Sequence, residues 1–344
     1  MYDRSLKRID MVVGLQYGDE GKGSTCATLH KMNEYNFSLR GGGSQAEHRF
    51  EWRGKFYRFR VNPVLSVDKI DTYLGAGMIA RKDIYEQEIK QFGLDKDKCH
   101  IDHNTAIVSG QAYNTSKRSK SQGRGGYSMG ISGTLCQKMK RIPGDKILAK
   151  HYDMETVNVA EEVYNKVKQG QTGLIEGSQG VLLSLNHGFF PCNTSYDVIP
   201  DAILSQVGVN HELIDEIYGV IKTFPTRVAG TQGICHMGGR PITFEEISER
   251  AGIDIPEYRK NQTDEDNSLK GREFISRFSE DDFRKSLILS RPTKLIVTHL
   301  DWLPENKREN FIKKVESIAR KTLRRECPVV IARYGQGEDD YEVR

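Results

Sequence analysis

Residues 9–24 read Ile-Asp-Met-Val-Val-Gly-Leu-Gln-Tyr-Gly-Asp-Glu-Gly-Lys-Gly-Ser. The first half is a short apolar run of the kind that forms a buried strand. The second is a glycine loop with one lysine, and residues 25–35 after it have helical spacing. Strand, glycine loop and helix in that order aim backbone N–H groups at one point, where an anion is held. The loop is not the G-x-x-x-x-G-K-[ST] phosphate loop, because Gln16 stands where that motif needs glycine and Gly23 where it needs Ser or Thr. Asp19 lies inside the loop. A carboxylate beside phosphates is repelled unless it holds Mg²⁺ or takes a proton during the chemistry. The plain alternative makes Asp19 and Glu20 exposed loop acids.

Glycine is in excess, 33 of 344 residues, against an average usage of about 7%. About half of it falls in five clusters: Gly18/Gly21/Gly23, Gly41 to Gly43, Gly123 to Gly133, Gly177/Gly180 and Gly230 to Gly239. Several such loops on one chain suit a site that wraps a multi-phosphate ligand; taken singly, each is an ordinary turn. Apolar runs at 9–15, 72–75, 104–108, 172–178, 213–224, 294–300 and 328–334 read as strands. Residues 82–92, 134–141, 155–168, 273–289 and 309–324 read as helices. Strands alternating with helices predict an α/β fold, one large domain over 1–344 whose central, mainly parallel sheet is flanked by helices.

Composition removes other classes. Fifty-one basic and 47 acidic side chains leave a net charge of +4, no whole-chain case for a nucleic-acid or membrane surface. Mean hydropathy is −0.59, there is no apolar run of transmembrane length, and the start lacks a signal-peptide core. Six dispersed cysteines without a C-x-x-C pair point to a reducing, cytoplasmic location. Cys99-His100-Ile101-Asp102-His103 has metal-type residues but no second ligand pair, which leaves a surface turn as the plainer account. The basic stretch 116–124, Ser-Lys-Arg-Ser-Lys-Ser-Gln-Gly-Arg, is an exposed loop that binds nucleic acid only on a distant alternative, since it lacks interleaved aromatics.

Gln16-Tyr-Gly-Asp-Glu-Gly-Lys-Gly23 resembles the Q-W-G-D-E-G-K-G signature of the adenylosuccinate synthetase family. Further motifs follow in family order: Arg40-Gly-Gly-Gly-Ser-Gln-Ala-Glu-His48, Glu176-Gly-Ser-Gln-Gly180, His187 to Ser195, Phe224-Pro-Thr-Arg-Val228 and Thr298-His-Leu-Asp301. The resemblance implies a P-loop-related α/β fold. It also implies a ligase that joins L-aspartate to a 6-oxopurine nucleotide with a nucleoside triphosphate and Mg²⁺. Asp19 is then the base that removes the N1 proton and a ligand of Mg²⁺, His48 stabilises charge as O6 attacks the γ-phosphate, and Gln179 steadies the 6-phosphoryl group. Gly21, Lys22, Gly23, Ser24 and Arg49 hold the triphosphate, and Asp301 reads its base. Gln45, Tyr127, Ser128 and Thr194 hold the purine nucleoside monophosphate, with Arg141 reaching from a second copy in a homodimer. Arg272 holds the aspartate carboxylate, and Glu47 offers Mg²⁺ its carbonyl.

Departures from the family cluster around the nucleotides. Gln45 replaces Asn, Glu47 replaces Gly, Arg49 replaces Thr, residues 270–277 are a reduced arginine loop, and the C-terminal S-T-G-P has become Ala332-Arg-Tyr-Gly335. This combination is similar to a phage-encoded branch that aminates dGMP to N6-succino-2-amino-2′-deoxyadenylate, for 2-aminoadenine DNA, with ATP as donor. Two alternatives remain, an ordinary IMP- and GTP-using synthetase and a switch-type NTPase without ligase activity.

Overall fold

The computed structural model describes residues 8–114, 129–228, 237–255, 273–335 and 337–344. A nine-stranded sheet organises them. Its central strand is β1 (Ile9–Gly14), flanked by β10 (Ile214–Lys222) on one side and β9 (Gly173–Gly180) on the other. Beyond β10 lie β13 (Lys294–Thr298), β14 (Val329–Arg333) and β15 (Tyr341–Val343). Beyond β9 lie β2 (Phe37–Arg40), β5 (Asp71–Leu74) and β7 (Cys99–Ile101). Every neighbouring pair is parallel except β14 with β15. The expected mainly parallel α/β sheet is therefore present.

The period of two along β1 divides the core. Met11 and Val13 join a cluster with Val159, Val163, Phe283, Leu287, Ile312 and Val315. Val12 points the other way, to Cys26, Ala27, Leu29, Phe50 and Phe59. Both faces are covered, as a parallel sheet requires. One cover is made by α1 (Lys22–Asn33) and the hairpin β3–β4 (His48–Trp52, Lys55–Phe59). The opposite cover includes helices Val159–Lys168, Pro200–Val207, Glu280–Ser290 and Glu305–Leu323.

The structure departs from expectation in particular places. Residues 273–289 are not one helix. Glu273–Ile275 is a strand paired with Thr226–Val228, and the helix begins only after Ser279, whose side chain accepts from the Asp282 N–H. A serine N-cap followed by three acidic residues fixes that start. The helix expected from 155 begins at Val159, capped by Asn158, and the strand expected at 104–108 shrinks to Ala106–Ile107. The hairpin was not expected. It turns at Arg53 and Gly54, both with positive φ (51° and 72°), as in a two-residue primed turn.

Because the strands run parallel, the carboxyl ends of β1, β2, β9, β10 and β13 open on the same edge of the sheet. That edge is where ligands sit in open α/β folds. Each sequence motif follows or ends one of these strands.

Candidate active site

The loop between β1 and α1 is braced from inside. Glu20 is fully buried; its Oε1 accepts from the N–H groups of Gln16 (3.0 Å) and Gly18 (2.9 Å), and its Oε2 pairs with Lys22 Nζ at 2.6 Å. The two loop acids therefore part company: Glu20 is a structural brace and Asp19 alone is exposed. The brace explains two glycines. A Cβ at Gly14 or at Gly180 would lie 2.4 Å from a Glu20 carboxylate oxygen. Gln16 fastens the loop to β10, donating to Lys222 O and accepting from Lys222 N, each at 3.0 Å. Thr298 Oγ1 donates to Glu20 O at 2.8 Å.

Asp19, Gly18 and Gly21 have φ of 58°, 91° and 86°, so the loop coils tightly into α1. No side chain caps that helix, and its first turn has no acid. Its leading N–H groups, with Lys22, form the donor set an anion needs.

His48 opens β3 against the same helix, where a Cβ at Gly23 would lie 3.0 Å from the His48 Cβ. Its Nδ1 meets Glu176 Oε1. Glu176 is itself fully buried, 3.3 Å from Arg40 NH1, and accepts from the Val64 N–H at 2.6 Å. Burial and the nearby Arg40 guanidinium lower the His48 pKa; Glu176 opposes them without reversing the sign. Burial pulls Glu176 upward, but Arg40, His48 and the Val64 N–H outweigh it and keep the carboxyl below its ordinary range. The arrangement is a neutral imidazole donating Nδ1–H to a carboxylate, which leaves Nε2 as its other face. Neither Arg40 nor Glu176 was singled out from sequence, although both stand inside quoted motifs.

A second group surrounds Gly42. Gln45 Nε2 donates to Tyr196 Oη at 2.6 Å and reaches Thr194 Oγ1 at 3.4 Å, so two residues expected at the monophosphate do meet. Ser178 Oγ donates to Gly41 O at 2.9 Å, and a Cβ at Gly42 (φ 96°) would be 2.8 Å from Ser178. Gln179 follows at the end of β9, half-buried, with φ of 63°. Asp301, also half-buried, sits in the turn Leu300–Trp302 beyond β13, which Thr223 Oγ1 fastens by donating to His299 O at 2.7 Å.

Other expected residues stand apart. Arg141 is exposed and ends the helix Ile131–Lys140, whose first residue lies beside Gly43. Ten residues at about 1.5 Å each put its backbone roughly 15 Å along the helix axis from Ile131. The Glu47 side chain is engaged by arginines, which leaves only its carbonyl for a metal. Tyr127, Ser128, Arg272 and the basic stretch 116–124 lie outside the described residues. Within the Cys99–His103 stretch, His100 pairs with Asp71 (3.3 Å), Asp102 accepts from the Val159 N–H (3.0 Å) and His103 bonds Thr156 (3.0 Å). Among the described residues no group of three metal-type side chains converges, and no helix is long and apolar enough to cross a membrane.

The family model for adenylosuccinate synthetase matches residues 11–147 and 145–250. The adenylosuccinate synthetase of Pyrococcus horikoshii is 31% identical over 306 residues, 85% of this chain and 83% of the relative. That of Methanocaldococcus jannaschii is 27% identical over 332 residues, 90% of each. Of solved structures, the cyanophage S-2L succinoaminodeoxyadenylate synthetase, bound to dGMP and to dATP as an energy donor, superposes with a TM-score of 0.80 at 18% identity, over 98% of this chain and 95% of that one. The fully ligated adenylosuccinate synthetase of Plasmodium falciparum gives 0.79 at 16%, over 98% and 100%. At those identities the two likenesses show a shared fold. The matched family model and the relatives at 31% and 27% identity establish that this chain belongs to the adenylosuccinate synthetase family, and is a carbon–nitrogen ligase.

Proposed function

We propose that the chain, working as one domain in the cytoplasm, joins L-aspartate to C6 of dGMP at the expense of ATP. The product would be N6-succino-2-amino-2′-deoxyadenylate, with ADP and phosphate released. The observation that carries the ligase chemistry is the meeting of the anion-binding loop with the His48–Glu176 pair at one end of the sheet.

Asp19, exposed on the loop, takes the N1 proton of the purine; O6 attacks the γ-phosphorus and ADP leaves. His48, oriented by Glu176, faces the charge that develops there. The aspartate amine then adds at C6 and displaces phosphate, with Gln179 beside the departing group. Lys22, Gly21, Gly23, Ser24 and Arg49 take the triphosphate, and Asp301 its base. Thr194, with Tyr127 and Ser128, takes the 5′-phosphate, and Gln45 accommodates the 2-amino group and the missing 2′-OH of dGMP. Arg272 takes the aspartate carboxylate, and Arg141 reaches a second copy in a homodimer. One exposed carboxylate beside a phosphate-binding loop fits Mg²⁺, which is held by one or two carboxylates together with substrate phosphates. When bound it would neutralise charge on the phosphates, with Asp19 and the Glu47 carbonyl as its protein ligands.

Two things support dGMP. The cyanophage enzyme of the same fold is bound to dGMP, and Gln45 with Tyr196 builds a contact where the family's pattern is altered. The archaeal relatives support the second reading, IMP with GTP. A turnover assay that crosses the purine monophosphates with ATP and GTP separates the two.

A further inference from the structure

Three arginines of the β3–β4 hairpin region converge on one carboxylate. Glu47 Oε1 accepts from Arg49 Nε at 2.7 Å and from Arg58 Nε at 3.3 Å; its Oε2 lies 3.1 Å from Arg58 NH2 and 2.9 Å from Arg60 NH2. The register places Arg49 directly opposite Arg58. Like charges facing each other across a hairpin are unfavourable, and an anion between them removes the conflict.

The position of this group gives it a use. Arg49 O is 3.4 Å from Ser24 Oγ, and a Cβ at Gly23 would lie 3.0 Å from the same oxygen. The backbone that carries Arg49 thus lies against the first turn of α1, beside the uncapped N–H groups and Lys22. Side-chain exposure is 39% for Arg49, 38% for Arg58 and 17% for Arg60, against 9% for Glu47, so the arginines keep an open side while the carboxylate is enclosed. A guanidinium fork that accepts a carboxylate accepts a phosphate in the same geometry.

We infer that Arg58 and Arg60 join Arg49 in a polyphosphate clamp at the outer end of the triphosphate site, and that the Glu47 carboxylate keeps their seat until a phosphate displaces it. The inference rests on the reading that the start of α1 takes a triphosphate. It assigns binding to two residues that no family motif marks, and a competitor's role to the residue that replaces the family's glycine.

The test is calorimetric binding of ATP and of inorganic tripolyphosphate, without monophosphate or aspartate, to wild type, Lys22→Ala, Arg58→Gln, Arg60→Gln and Glu47→Gln. Arg58→Gln and Arg60→Gln should each weaken both probes about tenfold or more, and Glu47→Gln should tighten tripolyphosphate severalfold. Arg58 is on the surface, so its variant should keep a cooperative unfolding transition. If Lys22→Ala weakens binding while both arginine variants stay within twofold of wild type, the clamp is wrong and the loop reading stands. If Glu47→Gln weakens binding as the arginine variants do, Glu47 is only their scaffold and the displacement is wrong. If wild type binds neither probe, the loop reading itself fails.

Discussion

His48 rests its Nδ1 on the carboxylate of Glu176, and Arg40 holds that carboxylate from another side. The histidine is buried beside two cations, Arg40 and Lys22, and its pKa is lowered first by burial and then by Arg40. In the free protein it is therefore neutral at pH 7. A triphosphate brings negative charge to the same place and favours the imidazolium. Triphosphate binding should take up a fraction of a proton on the acid side of neutrality, measured as the dependence of binding enthalpy on buffer ionisation enthalpy. Glu176→Gln, which removes the charge that helps hold a proton on His48, should reduce the uptake. Equal enthalpies in all buffers would contradict this linkage.

The phosphate loop should be the most easily broken part of the site. Glu20→Gln removes the charge opposite the buried Lys22 and leaves one oxygen to serve either Lys22 or the Gln16 and Gly18 N–H groups. Breaking a buried pair in this way costs about 3–5 kcal/mol, so the urea midpoint should fall well below that of wild type. Asp19→Asn, at an exposed position a few ångströms along the chain, should leave the midpoint nearly unchanged while removing turnover.

At the opposite end of β1, burial pushes Asp10 up to about 6 from its ordinary 3.8; the Tyr35 hydroxyl, donating at 2.5 Å, offsets this in part. The folded protein then keeps a proton that the unfolded chain has released. Stability should fall as pH rises through the window from about 4 to 6, by up to about 3 kcal/mol. Chemical denaturation across that window should show the slope in wild type and a flatter profile in Asp10→Asn.

Tyr17, where the family signature has Trp, donates its hydroxyl to Asp282 Oδ2 at 2.7 Å, and the Gly238 N–H reaches the same oxygen at 2.9 Å. Tyr17→Phe should cost about 1–2 kcal/mol in unfolding free energy. Asp282→Ala should cost more, because it also frees Gly238. Equal midpoints for wild type and both variants would show that the link carries no stability.

Six of the nine strands were legible because they read as apolar runs, 294–298 and 329–333 among them, whereas the short β2, β7 and the largely exposed edge strand β15 were not. The start of the helix at 280 was missed because the apolar residues of 274–278 continue its pattern, and only the Ser279 cap marks the break. The hairpin alternates buried and exposed residues from His48 to Trp52, yet its many charges hide the strand. At the site, Asp19 and His48 were legible as motif positions. The brace of Glu20, the Glu176–His48 contact and the three arginines on Glu47 join residues through the fold, and residue type alone does not reveal which partners meet. Of the last glycine cluster, the described part has a local cause: a Cβ at Gly239 would lie 1.8 Å from Arg277 O.

The central claim is tested most directly by aspartate-dependent phosphate release with Mg²⁺, in one matrix of IMP, GMP and dGMP against ATP and GTP. The account predicts turnover that requires aspartate and a 6-oxopurine nucleotide, highest with dGMP and ATP and abolished in His48→Ala. Phosphate release that ignores aspartate and the purine would contradict the ligase mechanism, and a wide preference for IMP over dGMP would contradict the proposed substrate.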